Sequence, residues 1–313
     1  MRQLRLALIL LIISIPLTAQ AKYRLAIQGN NKLAVVNKQG TIEWQMKWRG
    51  IHDIHVLRNG HIMVQQGAAK VVEIDPKTKT VVWSYDSGKS PSNKGKRIEV
   101  HSFQPLPNGR IMIAESGSRR IIEVDRHGVI HHQIKLKVKK PHPHRDTRLV
   151  RKLKNGNYLV CHEGDGAVRE YNGKTGMVVW DYQIPLFRKK RRGGHGPKAW
   201  GNQVFGAVRL KNGNTLIATG NGHSVLEVTK SKQIVWHLKQ NDLPGITLAW
   251  VTTLEVLPNG NYIIGNCHAG PRNPLLIEIN PKTKKVVWQF DQFKTFGNSV
   301  PNSQILGVKG VIR

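Results

Sequence analysis

LRNGHIMV (residues 57–64) and EIDPKTKTVVW (residues 73–83) are phrases that the chain repeats, and their recurrence decides the fold. The first returns as LPNGRIMI (106–113), LKNGNYLV (153–160), LKNGNTLI (210–217) and LPNGNYII (257–264), with successive asparagines 49, 47, 57 and 47 residues apart. The second returns as VVNKQGTIEW (35–44), EVDRHGVIHH (123–132), EYNGKTGMVVW (170–180), EVTKSKQIVW (227–236) and EINPKTKKVVW (278–288). Five of these six copies end in tryptophan (Trp44, Trp83, Trp180, Trp236, Trp288), and His132 holds that place in the third. Asn-Gly suits a tight hairpin because both residues tolerate positive φ, and the flanks are rich in β-branched residues. Each period reads as four short strands, and a period of this length marks a propeller or a solenoid. Six such units predict an all-β, six-bladed β-propeller with four-stranded antiparallel blades. The chain enters at Tyr23 without an Asn-Gly turn, and NSQILGVKG (302–310) remains after the sixth tryptophan phrase. The ring is therefore expected to close with the C-terminal strand innermost in the N-terminal blade, a complementarity that an open solenoid does not need.

Of 313 residues, 39% are apolar and 22% charged, which supports a sizeable core and excludes disordered or collagen-like chains. Residues 1–21 read as a secretory signal: basic Arg2 and Arg5, the apolar run LALILLIISIPL, then Ala19-Gln20-Ala21. Export through the Sec route to the periplasm or the extracellular space is expected, with residues 22–313 as one soluble, monomeric propeller and no later stretch of transmembrane length. Cys161 and Cys267 are the two cysteines, too few for a disulfide scaffold and without Cys-x-x-Cys spacing. Lys and Arg total 49 against 19 Asp and Glu, a net charge of +30, which calls for anionic surroundings or an anionic partner.

The eleven-residue phrase resembles the tryptophan-docking motif of pyrroloquinoline-quinone-type propeller repeats. Asp75, Thr78 and Trp83 match it, as do Asn172, Thr175, Gly176 and Trp180, and again Asn280, Thr283 and Trp288. The resemblance implies tryptophans packed between blades. It does not imply bound quinone: dehydrogenases of that kind usually have eight blades and a vicinal cysteine pair, so neither the quinone nor another cofactor is expected here. A second phrase, His52-Asp53-Ile54-His55-Val56-Leu57-Arg58-Asn59-Gly60, is similar to one in arylsulfotransferase-like propellers. That similarity implies sulfuryl transfer through a histidine nucleophile, with the choice of histidine left open.

In an antiparallel four-stranded blade, the middle turn and the blade-to-blade loop share one face, here called the top. His52, His101, His142, His144, Arg145, His195, Trp200 and Trp250 fall in blade-to-blade loops or at the starts of inner strands, while Glu115, His162, Glu163, His223 and His268 are expected in middle turns. His61 and His127 belong to the opposite face. The candidate ligand-binding set is His52, Asp53, His101, Glu115, His144, Arg145, Asp146, His162, Glu163, Trp200, Gln203, Trp250, His268 and Asn302, with His52, His101 and Arg145 as catalytic candidates. His52 and His101 each stand seven residues before the asparagine of their turn. They are thus expected at one height, around a solvent-reachable cavity shared with Asp53 and Arg145.

No metal centre is expected. Cys161-His162 and Cys267-His268 occupy equivalent places, but two blades apart, too far to share an ion or a disulfide, and both thiols are expected to be buried.

Three basic runs, KSPSNKGKR (89–97), KLKVKKPHPHR (135–145) and LFRKKRRGGHGPKAWGNQ (186–203), lie in blade-to-blade loops and should rim the top. The expected function is non-catalytic binding of an anionic polymer, a sulfated or phosphorylated ligand or an envelope component; nucleic acid does not suit an exported chain. The competing expectation is an arylsulfotransferase-like enzyme using a channel histidine.

Overall fold

The structure, a computed structural model, describes residues 22–313, so the expected signal segment lies outside the described residues. Six four-stranded antiparallel sheets form the blades of a β-propeller. The first contains β1 (Arg24–Gly29), β2 (Lys32–Val36) and β3 (Ile42–Lys47); the second β4 (Ile54–Val56), β5 (Ile62–Gln66), β6 (Lys70–Asp75) and β7 (Thr80–Asp86). The third runs β8 (Glu99–Pro105), β9 (Ile111–Ser116), β10 (Arg120–Val124) and β11 (Ile130–Lys135), and the fourth β12 (Val150–Lys152), β13 (Tyr158–His162), β14 (Ala167–Tyr171) and β15 (Val178–Gln183). The fifth has β16 (Gly206–Arg209), β17 (Thr215–Ala218), β18 (Val225–Val228) and β19 (Ile234–Leu238), and the sixth β20 (Trp250–Val256), β21 (Tyr262–Cys267), β22 (Leu276–Ile279) and β23 (Val286–Phe290).

The last strand, β24 (Ser303–Leu306), pairs antiparallel with β1, Arg24 opposite Leu306 and Ile27 opposite Ser303. The ring thus closes as its sequence predicts. Beyond β24 the chain turns back against β20, where Ile312 pairs with Val256 and Arg313 meets Glu255. Among the described residues no helix is long and apolar enough to cross a membrane.

The repeated phrases do what their chemistry dictates. At the first Asn-Gly turn the Asn59 carboxamide accepts from the His61 amide at 3.0 Å while Gly60 takes φ +86, a conformation that costs a glycine little. Four of the five repeat tryptophans bolt successive blades together through indole N–H bonds to the neighbouring turn, while Trp288 meets Tyr23 edge-on at 5.2 Å and its indole N–H finds no partner among the described residues. Trp44 donates to Pro76 at 2.7 Å, Trp83 to Arg126 at 2.9 Å, Trp180 to Lys230 at 3.0 Å and Trp236 to Pro281 at 2.8 Å. His132, which replaces tryptophan, instead stacks on Tyr158 of the next blade at 6.2 Å. Apolar residues fill the space between blades, Val208, Leu216 and Ile264 in one buried cluster and Leu25, Ile263 and Ile305 in another. Polar side chains are left to line the channel and the top.

Candidate functional site

The inner strands begin at the top, and their first residues build the site. His101 lies in β8 at an irregularity in its pairing with β9, where Val100 and Ser102 face Glu115 and Ala114. Bulges of this kind re-aim a side chain. The His101 ring meets His52 at 4.7 Å and His144 at 5.1 Å between ring centres, with planes at 86° and 88°. His52 and His144 are 6.3 Å apart. Glu99 binds this group together: one carboxylate oxygen is 3.1 Å from His101 Nε2 and 2.6 Å from His144 Nδ1, and the other accepts from Arg97 at 2.6 Å. Arg148 donates to His144 Nε2 at 3.0 Å and pairs with Glu163.

Burial pushes the His101 pKa down to about 4, with Arg148 and His144 adding to the effect and Glu99 opposing it. Burial, helped by His101, Arg148 and His144, also holds His52 well below the ordinary imidazole value. The close approach of His101 leads the contacts that depress Glu99, which stays ionised despite partial burial. His52 Nδ1 is buried with no hydrogen-bond partner among the described residues.

His52 and His101 are thus brought together as expected, but the proposed single wall is divided. Asp53, fully buried, points into the channel, where Arg151 binds it at 2.7 and 3.0 Å, Ser102 at 3.0 Å and Asn302 at 3.1 Å. Burial alone would raise its pKa; Arg151 and His55 outweigh that and hold the carboxyl far below the usual range. Asp53 and Asn302 are therefore struts between blades rather than exposed ligands.

Arg145 is exposed and faces a neighbouring cleft, and Arg148 takes the guanidinium position beside the histidines. The register contained this answer. Arg148 stands seven residues before Asn155, as His52 and His101 stand before Asn59 and Asn108. Glu99, also missed, is signalled by its i, i+2 spacing from His101 in a strand.

Other expected ligands are packed into the fold. Glu115 is buried against Arg120 at 2.5 Å. Asp146 accepts from the amides of Gly117 and His142 at 2.9 and 2.6 Å, holding the loop before β12. His162 is buried between the Asp146 carbonyl, 2.7 Å, and the Tyr171 hydroxyl, 2.8 Å, and burial takes its pKa to about 4. Cys161 and Cys267 are free and buried, as expected, and burial raises both thiols, Cys267 to about 12. His268 joins His195 and Trp250 in a separate stack, with ring centres 5.0 and 4.4 Å apart, where no carboxylate participates among the described residues.

The remaining candidates meet in a cleft of about 300 Å³ next to the histidine group. Lys140, Arg145, Arg191 and Arg192 line it, together with Trp200, Gln203 and Glu163. The 186–203 insertion folds on itself through mutual backbone bonds between Arg192 and Trp200, and Lys189 lies 3.8 Å over the Trp200 ring. Glu163 is already engaged by Arg148 and, at 3.0 Å, by Gln203, so it neutralises none of the four cations directly; among the described residues those four form no ion pair.

Fold and repeat geometry define a PQQ-like six-bladed β-propeller. Residues 29–290 match the family described as outer membrane protein assembly factor BamB, and the chain belongs to that family. No curated protein matches the chain. Among solved structures, a protein of unknown function from Bacteroides caccae is similar, at 24% identity and a TM-score of 0.73, over 90% of this chain and 97% of that one. A streptogramin B lyase shares 13% identity and a TM-score of 0.56 over 88% and 85% of the two chains. A catalytically inactive virginiamycin B lyase from Staphylococcus aureus, with quinupristin, shares 14% identity and a TM-score of 0.56 over 90% and 88%. These likenesses concern the fold.

Proposed function

We propose that the protein is a non-catalytic binding propeller of the cell envelope that holds a sulfate- or phosphate-bearing polymer on its top face. The observation that carries this reading is the cleft in which Lys140, Arg145, Arg191 and Arg192 converge without ion-paired acids among the described residues. Four unpaired guanidinium and ammonium groups in one concavity repel one another, and an anion with several oxygens relieves that repulsion through charge-assisted hydrogen bonds. The net charge of +30 adds a long-range field that draws such a polymer in. The family description, which concerns outer membrane protein assembly, and the signal-like residues 1–21 support an envelope location.

Titration with heparin and with polyphosphate at graded salt tests the reading. Arg191→Ala/Arg192→Ala and Arg145→Ala should each weaken binding about tenfold, on the scale of one lost charge-assisted contact. Replacing Lys77, Lys79, Lys282 and Lys285 on the opposite face should have little effect. Equal losses on both faces would leave only diffuse charge and end the proposal.

One observation favours a second, enzymatic reading: His52 keeps a buried, partnerless Nδ1 beside Arg148 and His101. In an arylsulfotransferase-like reaction the imidazole nitrogen attacks sulfur, the aryl oxygen–sulfur bond breaks with release of aryloxide, and an acceptor hydroxyl then takes the sulfuryl group. Release of a phenol from aryl sulfates, lost in His52→Ala, tests it; no turnover across a panel of aryl sulfates and acceptors removes it.

A further inference from the structure

The imidazole group at the top of the channel has a hydrogen-bond pattern that the protein alone does not satisfy. His101 Nδ1 lies 3.0 Å from the Thr147 carbonyl oxygen. A carbonyl only accepts, so Nδ1 carries the ring proton and Nε2 presents a lone pair. That lone pair faces a carboxylate oxygen of Glu99 at 3.1 Å, acceptor against acceptor. Something positive belongs between them, either a proton or a metal ion. A histidine whose far nitrogen donates to a backbone carbonyl is the arrangement that orients an imidazole toward a metal.

We propose that Glu99, His101 and His144 bind one first-row divalent cation of the zinc class. Nitrogen and carboxylate donors in this combination suit zinc. Donor atoms of Glu99, His101 and His144 already lie within 4.8 Å of one another. Two imidazoles on one tetrahedral ion, at metal–nitrogen distances of about 2.0–2.1 Å, stand with ring centres roughly 5 Å apart. The His101 and His144 ring centres are 5.1 Å apart. His52 stands outside this donor set and packs its ring edge-on against His101, 4.7 Å between centres.

Arg148 sets the condition for binding. It donates to His144 Nε2, so without metal the His144 proton sits on Nδ1, directed at Glu99. Coordination through Nδ1 moves that proton to Nε2, and Arg148 gives up this contact while keeping Glu163. The proton count of His144 is unchanged. The half-exposed His144 ring, at 43%, has the freedom to make this adjustment.

The inference is independent of the polymer-binding reading, because it is tested with metal alone. The purified protein is stripped with chelator and titrated with Zn²⁺, and metal per chain is counted after gel filtration; Co²⁺ then reports geometry through its visible absorption. One equivalent is expected, with a rise in melting temperature and the strong visible bands of tetrahedral Co²⁺. His144→Ala, at a partly exposed position that tolerates truncation, should weaken Zn²⁺ at least roughly a hundredfold. His268→Ala, in the separate aromatic stack, should leave it unchanged. Substoichiometric zinc in the wild-type protein, or one equivalent whose affinity survives His144→Ala, overturns the proposal and assigns the position between His101 and Glu99 to a proton.

Discussion

The channel interior and the top cleft are built from the same residue types and treat them oppositely. In the channel, Asp53 and Arg151 form two hydrogen bonds, Ser102 and Asn302 complete the carboxylate's shell, and Glu255 meets Arg313. In the cleft, Arg145, Arg191 and Arg192 form no ion pair among the described residues. Charge that is matched and dry holds blades together; charge that is unmatched and wet is available to a ligand. The two regions should therefore separate stability from binding, and substitutions can break or sharpen that division.

Removing residues 300–313 tests it most severely. The truncation deletes β24, exposes the edge of β1 and strips Asn302 and Arg313 from their partners, so cooperative thermal unfolding should be lost or shifted far down. An unchanged melting temperature would refute the closure role. Asp53→Ala comes next: a buried guanidinium left without its carboxylate costs about 3–5 kcal/mol, to be read from urea unfolding. Heparin affinity of the folded fraction should stay as it was.

A smaller effect comes from His162. Its pKa is about 4 in the folded protein against 6.5 ordinarily. Above pH 6.5 the ring is neutral in both states, whereas between 6.5 and 4 only the unfolded chain takes up the proton. Its contribution to stability is thus complete above 6.5 and falls away as pH drops toward 4. Urea midpoints across that window should decline, and His162→Gln should flatten the decline. If the slope is the same in the variant, other groups carry it. The least effect on stability belongs to Arg191→Ala/Arg192→Ala, within about 0.5 kcal/mol as for surface positions, even though polymer affinity falls about tenfold. Loss of stability comparable to Asp53→Ala would erase the distinction.

The blades were legible because their signals are local. An Asn-Gly turn and a tryptophan eleven residues into a phrase are written in consecutive letters, and the Trp83 indole finds Arg126 because every blade repeats the same geometry. The shared height of His52 and His101 followed from the same register. Ion pairing was harder to read. Whether a carboxylate such as Glu115 faces solvent or Arg120 depends on what the next strand places opposite it. Arg145 stands in the blade-to-blade loop that enters its blade at nearly the height of His52 and His101, whereas the inner-strand register selects Arg148. The fates of Asp53 and Asn302 depended on how tightly the inner strands approach, which no single repeat reveals.

The pairing of β1 with β24 also dictates an order of events. The two strands come from opposite ends of the described chain, so joining them closes a loop of nearly its whole length, an entropic cost of about 5 kcal/mol by the logarithmic loop law. No other blade requires such a join, since the rest form from neighbouring hairpins. Five blades can form from local contacts, whereas the first is complete only when its two distant strands meet, and until then the edge of β1 is open to other chains. A factor that shields a strand edge would act on this protein in that interval, before the ring exists.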